Sequence, residues 1–155
     1  MTHAEKQTAS NEVAVKASLG TIALKSIQAA IDEPPAEGAH EFETTHSVRF
    51  AQTGSRSFTL FPQLVVKVRN QGKGKEWAHV SLTLCSTYET TGDVTLDEIA
   101  AFAEINGIHN AWPYLRETVQ SVTARMGISP LTLPLLKITS PIGHPPSKAK
   151  KNALP

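Results

Sequence analysis

Residues 110–117 read Asn-Ala-Trp-Pro-Tyr-Leu-Arg-Glu, and residues 127–136 read Gly-Ile-Ser-Pro-Leu-Thr-Leu-Pro-Leu-Leu. Between these stretches the spacing of the apolar residues predicts one amphipathic helix. We expect the helix to start near Asn110, which can cap it, and to carry Pro113 in its first turn, where a missing amide has no intrahelical partner. Gly127 suits a left-handed cap at its end. The residues of the apolar stripe are Ala111, Leu115, Val119, Val122 and Met126.

The segment after this helix is apolar, yet Pro130 and Pro134 prevent it from being helical. A soluble domain leaves large apolar side chains in such a loop only when something covers them. The cover is the protein's own core, a sister subunit or a bound partner. The side chains concerned are Ile128, Leu131, Leu133, Leu135 and Leu136.

Four segments upstream of the helix predict β-strands, because their apolar residues alternate or run between turn signals. Short connections join the last three, so we expect an antiparallel sheet with one covered face. Residues 13–24 fit a strand or a short helix equally well. Thr95 and Glu98 form a capping box for a short helix, which we expect to be broken at Asn106-Gly107. The predicted strands are 22–31, 42–50, 58–69 and 76–89.

The domain organisation is expected to be simple. Residues 1–11 are polar and predict a mobile tail, residues 12–140 form one domain, and residues 141–155 are rich in Pro and Lys and predict a disordered tail.

The helix motif and the proline-punctuated segment resemble the SecB family of export chaperones, which shows an aromatic-Pro-Tyr-x-Arg-Glu helix followed by a Pro-Pro-Leu-x-Leu lid. The resemblance covers roughly residues 21–138. It implies an α+β fold, namely a four-stranded antiparallel sheet with one long helix and an apolar lid loop packed on one face. It also implies a homo-oligomer assembled as a dimer of dimers. The motif residues placed in the helix and oligomer interface are Trp112, Pro113, Tyr114, Arg116 and Glu117.

The resemblance further implies an ATP-independent chaperone that holds unfolded polypeptides in apolar grooves bordered by the lid. Its clients would be unfolded preproteins awaiting export, or an antitoxin, as in SecB-like chaperones that protect antitoxins. If the lid borders the groove, Leu133→Asp should weaken client binding without dissociating the oligomer. The predicted client-binding residues are Phe61, Val65, Ile128, Leu131, Leu133 and Leu135.

Two departures from the family limit this prediction. The family usually continues into a second helix after the position of Ile138, where this chain is rich in proline instead. Typical export chaperones are strongly acidic, which suits docking on the translocation ATPase SecA, whereas this chain has a net charge of +1. The alternative function is an oligomeric adaptor that binds one folded partner through the same apolar patch.

The 155 residues contain no pattern typical of catalysis, of a cofactor or of a metal site. The six histidines lack metal-ligand spacing, and Cys85 lies in a predicted strand without a second cysteine. The near-neutral charge gives no support for nucleic-acid binding, and no apolar run is long enough to insert into a membrane. With no signal peptide visible, we expect a cytoplasmic protein that is not an enzyme.

Overall fold

The computed structural model describes residues 1–33, 39–72, 74–137 and 152–153. A helix, α1, is followed by four long strands, a second helix α2, a π-helical turn, the main helix α3 and a two-residue strand β5. The bounds are α1 His3–Lys16, β1 Ala17–Ile31, β2 His40–Gly54, β3 Ser57–Asn70, β4 Glu76–Thr90, α2 Leu96–Phe102, the π turn Ala103–Gly107, α3 Ile108–Arg125 and β5 Asn152–Ala153.

The sheet has the strand order β1-β4-β3-β2-β5. The predicted α+β fold with a four-stranded antiparallel sheet is confirmed for the four long strands. Strand β5 adds to the β2 edge, antiparallel, with Glu41 opposite Ala153 and Phe42 opposite Asn152. In β3 and β4 buried residues alternate with half-buried ones over most of the length, as expected for strands with one covered face.

The predicted mobile tail over residues 1–11 is wrong, because His3–Lys16 is helical. Thr2 caps this helix, and Glu5 completes a capping box with it. The backbone hydrogen bond from Thr2 to the Glu5 carboxylate lowers the pKa of Glu5. The helix exposes most of its surface and buries only Ser10 and Val13. It therefore has no apolar stripe that sequence periodicity could reveal.

The predicted break at Asn106-Gly107 is also wrong. The chain passes from α2 through a π-helical turn directly into α3, which gives one helix of 30 residues. Asn106 donates its side-chain amide to Ser10 Oγ at 2.6 Å. Gly107 allows a close approach, because a Cβ there would lie 2.7 Å from a Leu60 methyl carbon. Pro113 consequently lies inside α3 and not in a first turn.

The described chain divides into two compact units, each containing part of all four long strands. The first comprises residues 1–26, 47–63 and 83–112. Its core includes three aromatic rings, Phe58, Tyr88 and Phe102, whose centroids lie 5.1 to 5.6 Å apart. Burial raises the pKa of Tyr88, and its hydrogen bond with Asn110 opposes that rise. The ring cluster fixes α2 against the sheet of this unit.

The second unit comprises residues 27–46, 64–82 and 113–155. Arg69 and Glu43 form an ion pair on neighbouring strands β3 and β2. The part of the predicted disordered tail that is described, Asn152–Ala153, forms β5, and the rest of 141–155 lies outside the described residues. The buried residues of the unit include Leu64, Val66, Val68, Val80, Leu82, Leu115, Val119, Leu131 and Leu133.

Candidate polypeptide-binding surface

The lid segment, residues 128–137, follows α3 and has no regular secondary structure. Two hydrogen bonds from α3 hold its backbone. The Leu131 amide donates to Thr123 Oγ1 at 2.9 Å, and Arg116 Nε donates to the Leu133 carbonyl oxygen at 2.7 Å. Both bonds are at least partly buried, so solvent competes poorly for these groups.

Leu131 and Leu133 are fully buried, with 0% of their surface exposed. Their side chains therefore belong to the core of the folded subunit and offer no surface to a client, which corrects the prediction for these two residues. Leu135 is 72% exposed, and Ile128 is half-buried. Of the predicted lid positions, Leu135 is the one that presents a large apolar side chain to solvent.

The predicted helix motif separates into buried and exposed residues. Trp112 is buried, and Arg116 is half-buried and bonded to the lid backbone. Pro113, Tyr114 and Glu117 are exposed, Tyr114 by 49%. Arg116 thus positions the lid within its own subunit, while a role of the exposed residues in an oligomer interface stays a prediction.

Phe61 and Val65 lie on β3 among the half-buried residues that alternate with the core. The Lys25 ammonium nitrogen lies 4.9 Å from the centroid of the Phe61 ring, within the range of a cation–π interaction. Phe61 and Trp112 belong to the first unit, whereas Val65 and the lid segment belong to the second.

Strand β1 carries apolar surface that the sequence pattern did not mark as functional. Its fifteen residues are exposed except for three that are half-buried. It ends the sheet on the side opposite to β2, and its neighbour in the described sheet is β4. The sequence did indicate this surface, because it places large apolar residues on both faces of the strand. Its exposed large apolar residues are Leu19, Leu24, Ile27 and Ile31.

Asp32, Glu76 and His79 form a group whose ligand atoms lie within 4.8 Å of one another. His79 Nδ1 lies 3.0 Å from Asp32 Oδ2, and Glu76 lies 3.7 Å from the Lys67 ammonium. His79 and Asp32 are thus partners of each other, and Glu76 is paired with Lys67, as in an ordinary solvated charge network at a protein surface. The group offers no buried, preorganised set of ligands that would favour a metal ion.

None of the helices within the described ranges is both long and apolar enough to cross a membrane.

No protein-family model matches the chain, and neither does any curated protein. The SecB-like chaperone Rv1957 of Mycobacterium tuberculosis, solved in complex with a ChAD peptide from the HigA1 antitoxin Rv1956, aligns with a TM-score of 0.72. The alignment covers 86% of this chain and 99% of that protein, at 24% sequence identity. A protein of unknown function from Streptococcus agalactiae aligns with a TM-score of 0.47 at 10% identity, over 77% of this chain and 98% of its own. The fold of this chain is thus that of a SecB-like chaperone.

Proposed function

We propose that the protein is an ATP-independent cytoplasmic chaperone that binds unfolded polypeptides and keeps them from aggregating. The observation that carries the proposal is exposed apolar surface left after the subunit core is complete, on a fold that a SecB-like chaperone shares. Leu24, Ile31, Tyr114 and Leu135 are each more than 40% exposed. Large apolar side chains left exposed on a folded subunit are candidates for interaction sites in soluble proteins.

Simple energetics explain how such surface discriminates between folded and unfolded chains. Burying about four large client side chains gains roughly 6–12 kcal/mol, at about 1.5–3 kcal/mol each. Association and ordering remove roughly 4–15 kcal/mol, so one site binds weakly. Several sites on one oligomer, contacted by one long client, raise the affinity through effective concentration. Folded proteins bury their apolar residues and escape binding, and no ATP is needed.

For the client, an antitoxin is favoured over a preprotein delivered to SecA. The structurally similar mycobacterial chaperone was solved with an antitoxin peptide. The net charge of +1 also differs from the strongly acidic charge of typical export chaperones, which suits docking on SecA.

The function is tested by light scattering of a chemically denatured protein that aggregates on dilution. A molar excess of the chaperone without nucleotide should suppress the scattering. Leu135→Asp should weaken the suppression, because it places a charge on the exposed apolar position of the lid segment. Thr132→Asp is the matched control, since Thr132 is exposed, polar and in the same segment.

Undiminished scattering with the wild-type protein would reject the chaperone function. Equal loss of suppression in Leu135→Asp and Thr132→Asp would reject the role of Leu135. Binding to a folded partner, lost when that partner is unfolded, would favour the adaptor function instead.

We also propose that sister copies cover β1 in a homo-oligomer. A long sheet-edge strand with exposed apolar side chains is prone to pair or pack with another chain unless it is protected. Leu19, Leu24, Ile27 and Ile31 are between 39% and 52% exposed in the single subunit. Arrangement as a dimer of dimers is the form that the family resemblance implies.

Ile27→Glu is expected to raise the dissociation constant of the oligomer by about tenfold or more, because each copy loses the burial of one large apolar side chain. Size-exclusion chromatography with light scattering over a dilution series measures the change. Gln28→Glu is the control, because it adds the same charge at the neighbouring exposed polar position. A wild-type protein that stays monomeric at all concentrations would refute the oligomer proposal.

A further inference from the structure

The beginning of β2 is covered in a way that the rest of this strand is not. Glu41 and Phe42 are 7% and 4% exposed, and they are the two buried residues of β2. Successive side chains of a strand point to opposite faces of the sheet. Burial of both residues therefore means that the strand is covered on both faces at this point.

The same two residues pair with the C-terminal segment of the chain. Strand β5 lies antiparallel to β2, with Glu41 opposite Ala153 and Phe42 opposite Asn152. Among the long strands, β2 ends the sheet on this side. Its inner edge pairs with β3, whereas the backbone groups of its outer edge have no partner from β1, β3 or β4. The C-terminal segment thus adds to an open sheet edge by backbone pairing, which is one of the recurring ways in which proteins bind extended peptides.

Two buried polar side-chain atoms near the beginning of β2 have no hydrogen-bond partner among the described residues. His40, which directly precedes Glu41, has a buried Nδ1 without a hydrogen-bond partner among the described residues. Trp77, whose ring centroid lies 5.0 Å from that of His40, has a buried indole N–H that also lacks a partner in the described part of the chain. Buried polar groups without partners are costly, and a bound segment would reduce that cost if its polar groups reached these two atoms.

We propose that the edge of β2 around Glu41 and Phe42 is a strand-addition site for an extended polypeptide, and that the chain's own residues 152–153 occupy it in the free protein. The C-terminal segment is then an intramolecular competitor of the client. This inference rests on the proposed function, since it assigns that function a backbone-binding site. Backbone pairing does not depend on client side chains, which suits a protein that binds many unfolded sequences.

The test uses the whole 155-residue chain with Asn152→Pro and Ala153→Pro combined. Proline has no amide N–H and is poorly tolerated in a paired strand, so the double variant removes β5 whichever of its two residues donates to β2. Ala149→Pro is the control, because it adds a proline to the same tail outside β5. Hydrogen exchange at the Glu41 and Phe42 amides reports on the pairing in the absence of any client.

The second measurement is fluorescence anisotropy with a fluorescently labelled, reduced and carboxymethylated protein as a permanently unfolded probe. The double variant should bind this probe about three- to tenfold more tightly than the wild type, because the loss of one or two backbone hydrogen bonds weakens the competitor. Exchange at Glu41 or Phe42 should become faster when β5 is lost, and the unlabelled probe should slow it again. Ala149→Pro should match the wild type in both measurements.

The outcomes separate this inference from the proposed function. Unchanged exchange in the double variant, or faster exchange with unchanged probe affinity, would overturn the inference while leaving chaperone activity intact. Weaker probe binding by the double variant would overturn it as well, because the tail would then assist the client. Absence of probe binding by every variant would instead reject the proposed function, and this inference with it.

Discussion

Leu133→Ala should lower the free energy of unfolding by about 2–5 kcal/mol, as expected for a leucine truncated in a well-packed core. Leu133 is fully buried although it lies in a segment without regular secondary structure. Chemical denaturation followed by circular dichroism measures the loss. This replaces the expectation that Leu133→Asp would change client binding alone, because a carboxylate at a fully buried site would unfold the subunit or force it to rearrange.

The control for this prediction is the same substitution two residues further on. Leu135→Ala removes an identical group from a side chain that is 72% exposed, so it should change the free energy of unfolding by no more than about 0.5 kcal/mol. Equal effects of Leu133→Ala and Leu135→Ala would contradict the described burial of the lid segment.

Thr123→Val should cost about 1–3 kcal/mol and loosen the lid segment. The Thr123 hydroxyl donates to the Val119 carbonyl oxygen at 2.8 Å and accepts the Leu131 amide at 2.9 Å. Valine has nearly the same shape without the hydroxyl, so the Leu131 N–H stays buried without a partner. We expect faster hydrogen exchange at Leu131, measured by NMR, together with a lower midpoint of denaturation.

Thr118→Val is the matched control for Thr123→Val. Thr118 donates to the Tyr114 carbonyl oxygen at 2.8 Å, which is the same kind of bond to the preceding turn of α3. This bond is exposed to solvent, however, and the described contacts of Thr118 include none with the lid segment. Its replacement should change stability by no more than about 0.5 kcal/mol and leave exchange at Leu131 unchanged. Similar effects of the two variants would show that the bond within the helix, and not the bond to the lid, stabilises the protein.

Local patterns in the sequence predicted the long strands and the apolar stripe of the main helix. Alternation places Leu64, Val66 and Val68 on one covered face, and all three are buried. The capping box of Thr95 and Glu98 is present at the start of α2, with the Thr95 amide 2.7 Å from the Glu98 carboxylate. These features depend on neighbours within a few residues, so their sequence signals are strong.

Contacts between distant residues decided the features that the sequence pattern predicted wrongly. Helix α1 has almost no apolar face, and its contacts with α2 and the π turn include the bonds Asn106–Ser10 and Lys6–Glu104. The glycine at position 107 signals a break in an isolated helix. In the folded chain it instead makes room for Leu60. The periodicity of apolar residues therefore predicts neither the polar helix α1 nor a helix that continues through Asn106-Gly107.

The candidate site shows the same division. The sequence by itself determined that the segment after α3 is apolar, not helical and in need of cover. Only the tertiary structure decided that Leu131 and Leu133 supply the core while Leu135 faces solvent, since Thr123 and Arg116 hold the segment at two backbone positions. Hydrophobicity specifies how much surface must be buried, but it has no direction. Directional hydrogen bonds from helix α3 to the lid backbone, which join residues 8 and 17 positions apart, select which side chains are buried.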